Sequence, residues 1–278
     1  MADVDHPISR YPATALVVWF LGLIAVGTVI LMLPVCRAAD AQPISLNDAA
    51  FTATSASCVT GLSVRSTAND FSFWGQLVIL LMIQLGGMGI LTIATLFFIE
   101  LTGRSTPREQ LVAEDTLGAF AKDNLKKFLM GVIVVTFMIE FAGAVVLIVR
   151  RLFIDSPLDA IWWGLFHSIS AFCNAGFALR DDSLSQSVAD PIVNLTIIAL
   201  ILIGGIGYPV IRDILRVRRH PGGKRRLNFH TKLTLGATVI LVVAGAIFFW
   251  AFERDNTLAG LTAGGTFWST CFQAITTR

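Results

Sequence analysis

Residues 51–61 read FTATSASCVTG, a polar stretch that ends in glycine and lies between two long apolar runs. A second copy, FHSISAFCNAG, occupies residues 166–176. In both copies a cysteine comes seven positions after the first phenylalanine, and a glycine follows three positions later. The two glycines, Gly61 and Gly176, are 115 residues apart, and a third copy begins as CFQAITTR at 271–278. This regular spacing predicts a repeated structural unit.

The composition of the chain predicts an integral membrane protein. Apolar residues make up 55% of its 278 residues, charged residues 14%, and the mean hydropathy is +0.72. A soluble globular domain carries about 25% charged residues. The four cysteines form no CxxC pair, so their spacing indicates neither a zinc site nor a disulfide framework. These values exclude the ordinary soluble enzyme classes.

Apolar runs long enough to cross a bilayer, about 20 residues each, alternate with shorter helical segments. The candidate spans lie at 11–33, 71–101, 128–149, 191–211 and 233–252. Helix-starting residues open two of the short segments: Ser45 lies three residues before Asp48, and Ser156 is followed by a proline and then by Asp159. A third short helix is predicted to begin near Thr266.

The first short helix ends near Ser57 and has about ten residues, which reach roughly 15 Å, half a bilayer. The chain must therefore return to the side from which it came. This geometry predicts a re-entrant pore helix followed by a non-helical segment, at 58–64 in the first copy and 173–179 in the second. Such backbone is tolerated at membrane depth only where protein buries it or where it lines a water-filled cavity.

The end of a re-entrant helix offers suitable chemistry for a cation. Its C-terminus carries about half a negative charge, and the following backbone carbonyls can replace hydration water around an ion. Gly61 and Gly176 can take backbone conformations that other residues avoid. The predicted carbonyl donors to an ion are Val59, Thr60, Asn174 and Ala175. The alternative is a re-entrant loop that only plugs a transporter.

Charge predicts the orientation. The segments 102–127 and 212–232 are rich in Lys and Arg, which places them and the N-terminus in the cytoplasm. Each unit then crosses the membrane twice, so successive units have the same orientation and are parallel repeats, not inverted ones.

The predicted fold is an all-α integral membrane fold in which repeats of span, pore helix, filter loop and span surround a central pore. The predicted parts are a first pore repeat at 1–101, a cytoplasmic loop at 102–127, a second repeat at 128–211, a basic cytoplasmic loop at 212–232 and the start of a third repeat at 233–278.

Several ordered motifs extend the repeat signal across residues 11–278. They are SASCVTGLSV at 55–64, QLGGMGI at 84–90, FHSISAFCNAGF at 166–177, LIGGIGYPVI at 202–211 and FQAITTR at 272–278. Together these motifs resemble the Ktr/Trk/HKT superfamily of potassium transporters, and most closely its bacterial KtrB branch. The resemblance implies four units around one pore, with a filter segment from each unit. The implied filter residues are Cys58, Val59, Thr60 and Gly61, then Cys173, Asn174, Ala175 and Gly176, then Thr277.

The resemblance implies potassium uptake across the cell's inner (plasma) membrane by a channel-like subunit that needs no cofactor. Relatives with serine at the position of the first filter glycine tend toward sodium, so Gly61 implies a preference for potassium. Whether transport is coupled to sodium stays open.

The implied partners are the lipid bilayer, a second copy of the chain and a cytosolic ring of nucleotide-binding regulatory subunits of KtrA/TrkA type, with no nucleic acid. Candidate docking residues for that ring are Arg216, Arg218, Arg219, Lys224, Arg225 and Arg226; anionic lipid binding or a simple topology signal is the alternative.

The third motif stops at Arg278 without a glycine, which predicts that the sequence is the front portion of a longer protein.

Two other functional classes stay open: a broken-helix carrier with alternating access, and a non-conducting relative. An enzyme is not expected, since the sequence shows no nucleophile–base pair or metal cluster. Glu140 lies inside a span and is a functional candidate, either by contact with ions or by pairing with a neighbouring helix. His167 is expected to pack within its helix and not to bind a metal.

Overall fold

The computed structural model describes residues 12–88, 125–218 and 226–277, and within these ranges the chain is helical with short irregular connections. The predicted all-α fold is confirmed for this part of the chain. The helices are α1 (Pro12–Leu31), α2 (Leu46–Ser57), α3 (Phe73–Gly87), α4 (Leu125–Arg151), α5 (Pro157–Phe172), α6 (Pro191–Ile206), α7 (Tyr208–Arg218), α8 (Phe229–Glu253) and α9 (Ala263–Thr276).

The chain divides into two compact units. The first contains Met1–Val134 together with Ala175–Asp181, and the second contains Val135–Asn174 together with Asp182–Arg278. In the first unit α1 packs against α2 and α3, and α2 packs against α3. In the second unit α6 packs against α5 and α9, and α8 packs against α9 and α7.

Three short helices begin with a side-chain cap. The hydroxyl of Ser45 accepts a hydrogen bond from the backbone of Asp48, and that of Ser156 accepts one from Asp159. Both predicted caps are therefore confirmed. Thr262 caps α9 in the same way, so this helix begins at Ala263, slightly before the predicted start. The helices α2 and α5 have 12 and 16 residues, or about 18 and 24 Å, which is less than the roughly 30 Å of a hydrocarbon core.

Two helices in the described ranges are long and apolar enough to cross a membrane by themselves. They cover Lys127–Arg151 in α4 and Phe229–Glu253 in α8, with mean hydropathies of 2.7 and 2.4. Helix α3 and the described apolar part of α1, Val17–Leu31, are shorter apolar helices. The predicted spans at 11–33 and 71–101 continue into residues outside the described ranges, as does most of the predicted loop at 102–127.

The predicted span at 191–211 is broken. Helix α6 ends at Ile206, Gly207 takes a φ of 78°, and α7 leaves at 93° to α6. A positive φ suits glycine, and Pro209, near the start of α7, lacks the N–H that a continuous helix would need there. The chain therefore bends sharply at Gly207. Because α7 stays helical to Arg218, part of the segment predicted as a basic loop is a helix.

Two glycines bring the returning helix of each unit against the end of its short helix. A Cβ atom on Gly86 of α3 would collide with the carbonyl oxygen of Ser57, the last residue of α2. A Cβ atom on Gly204 of α6 would collide in the same way with the carbonyl oxygen of Phe172, the last residue of α5. Each short helix is therefore held at its C-terminal end by direct backbone contact.

We expect Gly204→Ala to lower the melting temperature (Tm) of the detergent-solubilised protein. The added methyl group would meet a backbone carbonyl that cannot rotate away, and such overpacking costs about 1–3 kcal/mol. This exceeds the gain of about 0.5–1 kcal/mol from replacing a helical glycine. Gly236→Ala in α8 is the matched control, because a Cβ atom there meets nothing within 4 Å. A Tm for Gly204→Ala equal to that of the control would contradict the packing.

Candidate functional site

The two predicted filter segments, 58–61 and 173–176, follow the same backbone course. Val59 and Asn174 have φ values of 55° and 54°, and Gly61 and Gly176 have values of 83° and 73°. A positive φ is uncommon for any residue except glycine and is a true outlier for a β-branched side chain such as that of Val59. The segments therefore hold the same strained conformation at equivalent positions, as often occurs at functional sites.

The cysteines mark the point where each helix ends. The N–H of Cys58 donates to the carbonyl of Thr54 at 2.9 Å, and that of Cys173 donates to Ile169 at 3.0 Å. Beyond the cysteine, the N–H of Thr60 reaches back to Ser55 at 2.8 Å. Within the described ranges no hydrogen bond ends on a carbonyl oxygen of either filter segment. These oxygens therefore remain available to another ligand.

The first unit brings the ends of both filter segments together. A Cβ atom on Gly61 would lie 2.6 Å from the carbonyl oxygen of Ala175 and 2.9 Å from the Cα of Gly176. In return, a Cβ atom on Gly176 would lie 3.0 Å from the Cα of Gly61. The two predicted filter glycines thus approach so closely that a larger residue would displace backbone.

The second unit brings Asn174 to the end of α9. Its side-chain amide donates to the carbonyl oxygen of Thr276 at 3.4 Å. The next residue, Thr277, is the C-cap of α9, and its hydroxyl donates to Gln273 at 2.9 Å. Thr277, the residue predicted for the third filter segment, therefore directly follows Thr276, whose carbonyl contacts Asn174 in the second predicted filter segment.

An ion pair fixes the start of the first short helix to the segment that follows the first predicted filter segment. The guanidinium of Arg65 lies 2.9 Å from a carboxylate oxygen of Asp48, in the first turn of α2. The hydrogen bond from Arg65, followed by that from Ser45, lowers the pKa of the Asp48 carboxyl. A carboxylate at this position also complements the partial positive charge of a helix N-terminus.

Glu140 and His167 are both buried in the second unit. The Nδ1 atom of His167 lies 2.8 Å from the carbonyl oxygen of Trp163, and the two rings stack at 4.1 Å. Ser168 donates its hydroxyl to the backbone carbonyl of Glu140 at 2.6 Å. In the part of the chain that the structure describes, no group of three His, Cys, Asp or Glu residues could hold a metal ion. These two contacts of His167, with the carbonyl and the ring of Trp163, are both within its own helix.

The candidate docking residues differ in their surroundings. Arg218 and Arg226 are exposed. Arg216 turns toward α7 itself, where its guanidinium lies 2.6 Å from Asp213. The remaining three, Arg219, Lys224 and Arg225, lie outside the described ranges.

A buried carboxylate outside the predicted site residues joins α7 to the start of α8. Asp213 accepts hydrogen bonds from the backbone N–H of Asn228 at 2.8 Å, from its side-chain amide at 3.1 Å and from the hydroxyl of Thr231 at 2.8 Å. With Arg216 these residues form what we call the Asp213 network. Asp213 is the one acidic residue in the basic segment 212–232, which is the sequence signal that could have indicated it.

Known proteins resemble the chain over most of its length. The family model described as "TrkH: Cation transport protein" matches residues 10–278. The Ktr system potassium uptake protein B of Vibrio alginolyticus is 37% identical over 93% of the chain and 56% of its own length. The protein of the same name in Bacillus subtilis is 35% identical over 96% of the chain and 59% of its own length.

A third relative is the potassium/sodium uptake protein NtpJ of Enterococcus hirae, 33% identical over 96% of the chain and 58% of its own length. The chain thus spans less than two thirds of the length of these curated relatives.

We expect Asp213→Ala to lower Tm by several degrees, because it leaves the buried hydroxyl of Thr231 and the half-buried donors of Asn228 without their acceptor. Each unsatisfied buried group costs about 1–3 kcal/mol. Thermal unfolding in detergent, followed by tryptophan fluorescence, measures the change. Arg218→Ala serves as the control, since this exposed side chain lies on the same helix. An equal Tm for both variants would show that the Asp213 network does not hold α7 against α8.

Proposed function

Because the chain belongs to the TrkH family of cation transport proteins, we propose that it forms the ion-translocating part of a channel-like potassium uptake protein. It acts in the inner (plasma) membrane with its N-terminus in the cytoplasm. The basic segments 102–127 and 212–232 face the same side, following the positive-inside rule.

The close approach of Gly61 to Gly176 carries this proposal. Two segments with the same positive-φ pattern meet at their glycines in the first unit, and their carbonyl oxygens accept no hydrogen bond within the described ranges. Rings of such carbonyls replace the hydration shell of a potassium ion in selective channels. The residues proposed to supply them are Cys58, Val59, Thr60 and Gly61, Cys173, Asn174, Ala175 and Gly176, and Thr277.

The short helices add to the attraction for a cation. The filter segments follow the C-terminal ends of α2 and α5, and Thr277 follows that of α9. Each end carries about half an elementary negative charge. The names of the relatives, potassium uptake protein and potassium/sodium uptake protein, agree with potassium as the principal ion and leave sodium as a second candidate.

The direct test is cation flux into lipid vesicles that contain the purified complete protein. We expect an inward potassium gradient to drive uptake that exceeds sodium uptake under the same gradient and membrane potential. Vesicles that contain the protein in its folded state but take up neither ion above the rate of empty vesicles would overturn the proposed function.

We expect Gly61→Ser to reduce the potassium-to-sodium flux ratio by about tenfold or more, equivalent to about 1.4 kcal/mol of discrimination. The serine must either hold a φ of 83° or shift, and its Cβ atom would press on the carbonyl of Ala175 at 2.6 Å. Either response moves the carbonyl oxygens that surround the ion. The measurement is the flux ratio in vesicles at matched protein content.

The control for Gly61→Ser is Gly260→Ser. Gly260 also has a positive φ, 88°, but a Cβ atom there meets nothing within 4 Å. The control therefore carries similar backbone strain outside the filter, and we expect an unchanged flux ratio. If both variants alter the ratio equally, or neither alters it, the filter assignment at Gly61 fails.

We further propose that the complete protein works as a homodimer on a cytosolic ring of nucleotide-binding regulatory subunits. The ring docks on the basic surface near α7 that includes Arg218 and Arg226.

The double variant Arg218→Ala/Arg226→Ala should weaken binding of the purified ring about tenfold, because electrostatic attraction is lost. For the same reason the affinity of the wild-type protein for the ring should fall as the salt concentration rises. Arg216 is left unchanged because it also contacts Asp213. Arg254→Ala removes an exposed arginine beyond the other end of α8 and is the control. Unchanged binding in the double variant would leave these basic residues as a topology signal alone.

A further inference from the structure

Two positions beyond the filter glycines meet in the first unit. Ser66 lies five residues after Gly61, and Asp181 lies five residues after Gly176. The hydroxyl of Ser66 donates to Oδ1 of Asp181, and the side-chain amide of Asn69 donates to Oδ2 at 2.6 Å. Both carboxylate oxygens of Asp181 are thus bound by the segment that follows the first filter segment.

The segment that binds Asp181 is itself held in place. Its Ser66 hydroxyl accepts a hydrogen bond from the backbone of Asn69 at 3.0 Å, and the N–H of Ser66 donates to the carboxylate of Asp70 at 2.8 Å. The neighbouring Arg65 is paired with Asp48 in the first turn of α2. The two donors that face Asp181 therefore belong to a turn with a fixed shape, connected to the start of the short helix.

We propose that Asp181 is a positioning residue that fixes the outer ends of the first two filter segments relative to each other and thereby sets the preference for potassium over sodium. This inference rests on the proposed function of the filter segments. The segments contact each other at Gly61 and Gly176, and Asp181 adds a second connection five residues further along. Two connections restrict rotation and sliding of the paired segments, whereas one contact alone does not.

Selectivity depends on this restriction because a filter distinguishes ions by the positions and number of its carbonyl oxygens. When the outer connection is lost, the carbonyls can move inward around the smaller sodium ion. Asp181 thus acts through Ser66 and Asn69 on the carbonyl positions and does not itself bind the ion.

The simplest competing explanation is that the negative charge of Asp181 attracts cations to the pore mouth. The double variant Ser66→Ala/Asn69→Ala separates the two explanations, because it keeps the charge and removes both hydrogen bonds. We expect it to lower the potassium-to-sodium flux ratio about tenfold, because both hydrogen bonds that connect the two segments are lost and the carbonyl positions set the selectivity. Asp181→Ala should lower the ratio to the same extent.

Asp181→Asn provides the reverse case. Its side chain can accept from Asn69 and donate to the Ser66 hydroxyl, because a serine hydroxyl can act in either role. The charge is lost while the connection is kept, so we expect a flux ratio near that of the wild type. The exchange variant Ser66→Asp/Asp181→Ser should also recover part of the ratio lost in Asp181→Ser alone, since it restores a serine–carboxylate hydrogen bond between the same two positions.

Asp182→Ala is the matched control for charge. The carboxylate of Asp182 accepts a hydrogen bond from the Ser185 hydroxyl in its own connection at 2.9 Å. Removing it deletes a neighbouring negative charge without touching the bonds of Asp181, and the flux ratio should not change. All variants are measured in vesicles of the complete protein at equal protein content, with Tm recorded to identify any that are unfolded.

The positioning role is overturned if a folded Ser66→Ala/Asn69→Ala variant keeps the wild-type flux ratio, or if Asp181→Asn loses as much selectivity as Asp181→Ala. These failures differ from a failure of the proposed function. In the latter case the wild-type protein carries no potassium, or Gly61→Ser leaves its flux ratio unchanged. If the wild-type protein and Gly61→Ser behave as expected, only the role of Asp181 is under test.

Discussion

The structure depends on one constraint: backbone polar groups at membrane depth must find partners within the protein or face water. Helices α2 and α5, with 12 and 16 residues, are too short to cross a bilayer and leave their C-terminal carbonyls unpaired within the helix. The chain that follows cannot continue as a helix and must still be supported. The caps, the close glycine contacts and the strained segments 58–61 and 173–176 all meet that constraint.

Glycines meet this constraint in three physically different ways. Gly86 and Gly204 lack a side chain where a returning helix touches the last carbonyl of a short helix. Gly61 and Gly176 combine a positive φ with direct backbone contact, so both conformation and space exclude a larger residue. Gly207 has space around it, and only its φ of 78° requires glycine there. A substitution series across these sites therefore separates packing from backbone strain.

Two carboxylates connect segments that the motifs do not relate. Asp213 is fully buried, and such a charge is tolerated only when several hydrogen bonds compensate for its lost hydration. Four contacts do so, and the three with Asn228 and Thr231 also join α7 to the start of α8. The contacts of Asp181 are exposed, where hydrogen bonds and ion pairs contribute little to folding. The first residue is therefore suited to stability and the second to fine adjustment of an already folded site.

The sequence by itself determined the membrane class and the short helices with their caps at Ser45 and Ser156. These features follow from composition and from residues close together in the chain, which local physical chemistry controls. Only the tertiary structure showed that Gly61 meets Gly176 and that Ser66 and Asn69 bind Asp181, and it showed that α7 stays helical to Arg218 with Asp213 buried against α8. The partners in these contacts are 15 to 115 residues apart, and no local pattern specifies which distant atoms come together, because long-range packing decides that.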